Sequence, residues 1–248
     1  MWEQITMNTT LLKVLLILSL FIIFVFSCEE APQRVFARYE YLTYLPPDYQ
    51  HDEQKKWPVI IFLHGASLRG DNLEKIKKYG IPKLVSEGKD FEFIIISPQC
   101  PLYKNWSSDI WFPHTFEDIK KKFRIDTNRV YLTGLSMGGE GTWYIAEQYS
   151  KTFAAIAPVC GRVSHISSIE RDINTIANLP IWIFHGVKDK VYSVEESDKI
   201  YQLLKELNPE IKYTRYSELG HGATHDSTYK NSELYQWFLT HKLKYIGT

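Results

Sequence analysis

Apolar and polar residues change period along the chain, dividing it into alternating strand-like and helix-like stretches. Short runs of Val, Ile, Leu, Tyr and Phe predict strands over 38–45, 58–63, 91–97, 129–133, 154–159, 180–184 and 212–216. Between them, mixed stretches with helical spacing predict helices over 72–86, 115–123, 137–149, 194–207 and 231–241. Strands that alternate with helices imply an α/β class, with a mostly parallel, twisted sheet and helices on both faces. The stretch 162–178 is too long for a tight connection and is expected to hold a short helix or a partial lid.

The N-terminus breaks this rhythm. Residues 11–26 are almost continuously apolar, with Lys13 near their start, so the segment either spans a membrane as an anchor or is a cleaved leader. Its ending, Val25-Phe26-Ser27-Cys28 before Glu29-Glu30, is similar to the lipobox of bacterial lipoproteins, although Phe26 is bulkier than usual there. We therefore expect residues 1–27 to be a lipoprotein-type signal peptide, Cys28 to carry the lipid, and residues 28–248 to form one exported, membrane-anchored domain. Met7 opens a more typical leader than Met1 does, so both remain candidate starts.

Composition narrows the function. The 248 residues are 44% hydrophobic, with 29 basic and 29 acidic side chains, enough apolar material for one core. Zero net charge, with Lys120-Lys121-Lys122 balanced by Glu117 and Asp118, leaves no electrostatic footprint for nucleic acid. Cys100 and Cys160 each follow a different strand-like run and are expected to be buried thiols, not a bridge.

The candidate chemistry centres on Gly134-Leu135-Ser136-Met137-Gly138. A lone G-x-S-x-G arises by chance in about one chain in ten at ordinary Gly and Ser frequencies, so its surroundings must decide. Here a predicted strand precedes it and a predicted helix follows, the context in which a tight turn exposes a serine hydroxyl. A serine needs a base, and the base an orienting carboxylate. Asp189 follows the strand IWIFHG, and His221 stands between Gly220 and Gly222 in what reads as a flexible loop after another strand. Glu195 and Glu196 fall in the following helix, and His225 lies deeper beside Asp226, which makes them weaker alternatives. The strand ending in His64-Gly65 leads into a small-residue loop, so the N–H groups of Ala66 and Met137 are the candidate oxyanion donors. His64 and His185 are expected to hold loops. His221 with His225 makes only two ligands, and the zinc-binding patterns C-x-x-C and H-E-x-x-H are missing. No metal or cofactor is expected.

The stretches YLPPDY, WPVIIFLHGASLRGDN, ISPQCP, DTNRVYLTGLSMGGEGTW, APVCG, PIWIFHGVKDKVYSVEES and GHGATHDSTY together resemble the α/β-hydrolase superfamily. Within it the resemblance is to phospholipase/carboxylesterase-type proteins, feruloyl and acetylxylan esterases and dienelactone-hydrolase-like enzymes. It implies the three-layer α/β-hydrolase fold, with Ser136 as nucleophile, Asp189 as acid, His221 as base and Ala66 with Met137 as oxyanion donors. The implied reaction is hydrolysis of small or carbohydrate-borne carboxylic esters through an acyl-enzyme. Alternatives are a prolyl-oligopeptidase-like serine peptidase and a non-catalytic surface binding module. Such proteins often carry a tryptophan shortly after the histidine, where this chain has Ala223-Thr224-His225. Trp106 and Trp111, after ISPQCP, are candidates to overhang the site and stack on a sugar or phenolic ring, or else to pack their own loop.

Overall fold

The computed structural model describes residues 36–163 and 173–243. The leader, Cys28 and most of the expected lid lie outside the described residues.

Seven strands form one sheet: β1 (Tyr41–Tyr44), β2 (Trp57–Leu63), β3 (Ile94–Pro98), β4 (Ile125–Leu135), β5 (Ala155–Val159), β6 (Ile181–Gly186) and β7 (Ile211–Tyr216). Their order is β1-β3-β2-β4-β5-β6-β7, with β1 antiparallel to β3 and every other pairing parallel. Every residue of β2, β3, β5 and β6 is buried, as parallel strands between two helical layers require. Among the described residues, six helices cover the sheet: α1 (Gly80–Ser86), α2 (Phe112–Lys122), α3 (Met137–Tyr149), α4 (Val194–Leu204), α5 (His221–Lys230) and α6 (Ser232–Thr240).

The pleat sorts the core into two layers. Val59, Ile61 and Leu63 of β2 face one side with Phe112 and Phe116 of α2, Trp143 of α3 and Ile200 of α4. Ile60 and Phe62 face the other with Ile81 of α1, Tyr229 of α5 and Trp237 and Phe238 of α6. The three-layer α/β expectation therefore holds.

Several boundaries move. The helix expected over 72–86 is divided into a 3-10 turn, Leu73–Lys78, and α1. Gly80, at φ +66°, makes the break, and a Cβ there would lie 2.3 Å from Phe62 Cζ. The strand expected over 129–133 runs from Ile125 to Leu135, with its pairing shifted between Trp57 and Val59. That irregularity absorbs the polar Asp126-Thr127-Asn128 segment, whose Asn128 N–H donates to Asp126 Oδ1 at 3.0 Å. The expected strand over 38–45 pairs only at Tyr41–Tyr44. Helix α5 was not expected at all: His221 is its first residue and does not sit in a loop.

Replacing Gly80 with Ala should lower stability by about 3 kcal/mol, because left-handed strain adds to the clash with the Phe62 ring. Gly88→Ala, at φ +89° with open space around its Cβ position, should cost only about 1–2 kcal/mol. Urea midpoints of both variants check the difference, and equal losses would remove the packing explanation.

Candidate active site

The parallel register brings the ends of β2, β4, β5 and β6 to one edge. Leu63 pairs with Gly134, Leu135 with Val159, and Val159 with Phe184. The residues that follow each strand therefore converge, as at the carboxyl edge of open α/β sheets.

Ser136 occupies the turn from β4 to α3 at φ 56° and ψ −121°, a backbone conformation in which a non-glycine residue is strained. Two contacts hold it there: its N–H donates to Val159 O at 2.9 Å, and its carbonyl accepts from Glu140 N at 3.0 Å. Strand and helix close around it because a Cβ on Gly138 would sit 1.9 Å from Leu63 O. Only glycine fits.

Asp189 follows β6 with its side chain fully buried. Oδ1 accepts from the N–H groups of Val191 (2.8 Å) and Tyr192 (3.0 Å), and Oδ2 lies 2.6 Å from His221 Nδ1. Burial pushes the Asp189 carboxyl up, but the His221 bond and the two backbone donors outweigh it and leave it below the usual carboxylate range. An ionised Asp189 fixes the proton on His221 Nδ1, leaving the Nε2 lone pair as the basic position.

His185 closes the other side of the carboxylate, with Nε2 3.3 Å from Asp189 Oδ2 and 3.1 Å from Tyr192 O, and Nδ1 2.7 Å from Ser197 Oγ. Burial lowers its pKa, so a neutral ring donates from Nε2 and accepts from the Ser197 hydroxyl. The loop-holding role expected for His185 is in place.

Ala66 opens a 3-10 turn, Ala66–Leu68, and Met137 opens α3. First-turn N–H groups have no acceptor within their own helix. The loop lies against the serine, because a Cβ on Gly65 would be 3.5 Å from Ser136 Cβ. His64 fixes this loop: its Nδ1 lies 2.7 Å from Gly65 O, and its Nε2 accepts from Cys100 N at 3.0 Å. Burial pushes His64 down to about 4, which keeps Nε2 free to accept.

Trp106 and Trp111 are each 1% exposed, so neither offers the open stacking face considered from the sequence. Trp106 donates its indole N–H to His64 O at 3.1 Å, and Trp111 donates to Trp106 O at 3.0 Å. Trp111 also stacks on Tyr39 at 5.2 Å. These indoles buttress the loop from beneath. Trp106 borders, with Asn105, Ser107, Met137, Glu140, Gly141 and Tyr144, a small cleft beside the serine turn.

The remaining candidates separate clearly. Glu196 accepts from Val163 N at 3.0 Å instead of holding His221. His225, one turn along α5, stacks edge-on against His221 at 4.5 Å, and burial pushes it down to about 3. Cys100 and Cys160 are buried free thiols, as expected. Among the described residues no hydrogen bond joins Ser136 Oγ to His221. Both are tied to the end of β5: Ser136 donates its N–H to Val159 O, and the next residue, Cys160, has its Sγ within 4.8 Å of a His221 ring nitrogen. Catalytic hydrogen bonds often tighten only when substrate binds.

Comparison with known proteins agrees with this fold. The Phospholipase/Carboxylesterase family model matches residues 115–236. The chain is 29% identical over 146 residues to a bifunctional acetylxylan esterase/xylanase of Neocallimastix patriciarum, covering 56% of this chain and 20% of that protein. It thus spans a fifth of that relative's length. A crystal structure titled as a thermostable esterase superposes with a TM-score of 0.67 at 28% identity, covering 82% of this chain and 59% of that one. A ferulic acid esterase superposes with a TM-score of 0.63 at 19% identity, covering 80% and 92%.

His64 and His225 stay neutral here far below the value of about 6.5 they take in an unfolded chain. Between that value and about 4 the unfolded chain holds more protons, so stability must fall as pH drops through this window. The slope is on the order of 1 kcal/mol per pH unit for each histidine. Urea midpoints at pH 7 and pH 5 should show the fall, and His225→Gln should make it shallower; a flat profile would contradict the assignment.

Proposed function

We propose that this chain is a member of the α/β-hydrolase superfamily and a serine hydrolase of carboxylic esters that works through Ser136, His221 and Asp189. The observation that carries this reading is the 2.6 Å contact from a fully buried Asp189 to His221 Nδ1, on the same sheet edge as a serine held at positive φ. In the proposed cycle, His221 Nε2 takes the Ser136 proton as Oγ attacks the ester carbonyl. The developing oxyanion faces the N–H groups of Ala66 and Met137. His221 then returns the proton to the leaving alcohol, and water hydrolyses the acyl-enzyme with the same group acting as base.

The cleft beside Met137 is the candidate space for the group attached to the carbonyl. Acylated carbohydrate is the substrate class we favour, supported by the resemblance to an acetylxylan esterase/xylanase. We also propose that residues 1–27 direct export and that Cys28 carries a lipid, on the strength of the leader's apolar run and its ending.

Ser136→Ala should cut hydrolysis of short p-nitrophenyl esters by at least about 10³-fold and abolish labelling by a fluorophosphonate probe. Asp189→Asn, which removes the charge that fixes the His221 tautomer, should lower kcat by about 10⁴. Full activity in Ser136→Ala would refute the assignment. Activity on acetylated or feruloylated oligosaccharides that does not exceed that on the p-nitrophenyl esters would remove the carbohydrate reading alone.

A further inference from the structure

Beneath the proposed base lies a group of side chains that the ester-hydrolase cycle does not use. Cys160 follows β5 at φ 44°, a second strained non-glycine residue at the strand ends, with its N–H donated to Phe184 O at 2.9 Å. This conformation places its Sγ and one ring nitrogen each of His221 and His225 within 4.8 Å of one another. His221 and His225 stand one turn apart on α5, so both rings leave the helix on one face.

His225 supplies the second observation. It is 7% exposed, and its Nε2 has no hydrogen-bond partner among the described residues. A buried ring nitrogen without a partner is rare enough to need an explanation. Burial keeps the ring neutral, the protonation state in which imidazole offers a lone pair to a metal. Thiolate and imidazole together suit a borderline-soft divalent ion. Zinc bond lengths place the donors of a tetrahedral site about 3.3–3.6 Å apart, within reach of small side-chain rotations from the observed spacing.

We propose that Cys160, His221 and His225 form an inhibitory site for Zn²⁺, with water in the fourth position. The proposal rests on the reading of His221 as the base. On binding, the Cys160 S–H bond breaks, a sulfur–zinc bond forms and the proton passes to solvent. Nothing is oxidised or reduced. A neutral imidazole has one ring lone pair, and once zinc holds that of His221, none is left to take the Ser136 proton.

The test uses the full, tag-free chain. Zn²⁺ titrated into a p-nitrophenyl ester assay should suppress turnover and fluorophosphonate labelling together, and EDTA should restore both. Cys160→Ser and His225→Gln should each raise the zinc concentration needed by about 10–100-fold, at least what loss of an outer-shell partner costs a metal site. Co²⁺ added in place of zinc should give a thiolate-to-cobalt charge-transfer band in the wild-type chain, missing from Cys160→Ser. That band needs no activity; its absence from Cys160→Ser assigns it to that thiol, and its weakening in His225→Gln reads the site if Cys160→Ser does not fold. A wild-type chain without the band, or a folded Cys160→Ser chain inhibited at unchanged zinc concentration, overturns the site. A chain that shows the band but hydrolyses no ester overturns the functional reading and leaves the metal site standing.

Discussion

The centre of this molecule depends on keeping one carboxylate ionised where no water reaches it. The Asp189 side chain has no exposed surface, and an unpaired charge in that position would take up a proton instead. Two backbone N–H groups from its own turn hold one oxygen; His221 and His185 approach the other. Each donor comes with a structural commitment. The backbone pair fixes the turn after β6, His185 ties that turn to Ser197 of α4, and His221 ties it to the start of α5. His221 is oriented because the carboxylate beneath it is solvated by protein.

The serine is held by different means. Its strained turn persists because the surrounding backbone leaves no alternative: Gly138 lies against the carbonyl of Leu63, and Val159 takes the serine's N–H. Strain of this kind costs on the order of 1–3 kcal/mol, offset by two well-packed core layers on either side of the sheet.

How much of this could be read from the chain varies with the physics of each element. The strands and α3 were legible because buried parallel strands are unbroken apolar runs and because the glycines around Ser136 have one obvious use. Asp189 and His221 were legible as residues that follow strands. Helix α5 was not, since its buried face is Thr224, His225, Thr228 and Tyr229, which makes no apolar stripe, and Gly220 with Gly222 reads as a loop. Its threonines hydrogen-bond instead, with Thr224 Oγ1 donating to Gly220 O at 2.9 Å. Trp106 and Trp111 were placed in the right loop, but nothing in their spacing says that both indole N–H groups find buried carbonyls. Cys160 looked like one more core thiol because only the strand register brings its side chain beneath two histidines.

The bond from Trp106 to the carbonyl of His64 makes the cleft wall and the loop bearing Ala66 one mechanical body. Trp106 packs on Gly141, where a Cβ would lie 2.6 Å from the tryptophan's own Cβ, so the indole has little room to yield. In the proposed ester-hydrolase cycle, a substrate group that presses on this wall would be felt at the Ala66 N–H, across His64 and Gly65. Discrimination between substrates at such a wall appears as a change in turnover more than in binding, since what shifts is the alignment of a donor with charge that exists only in the transition state.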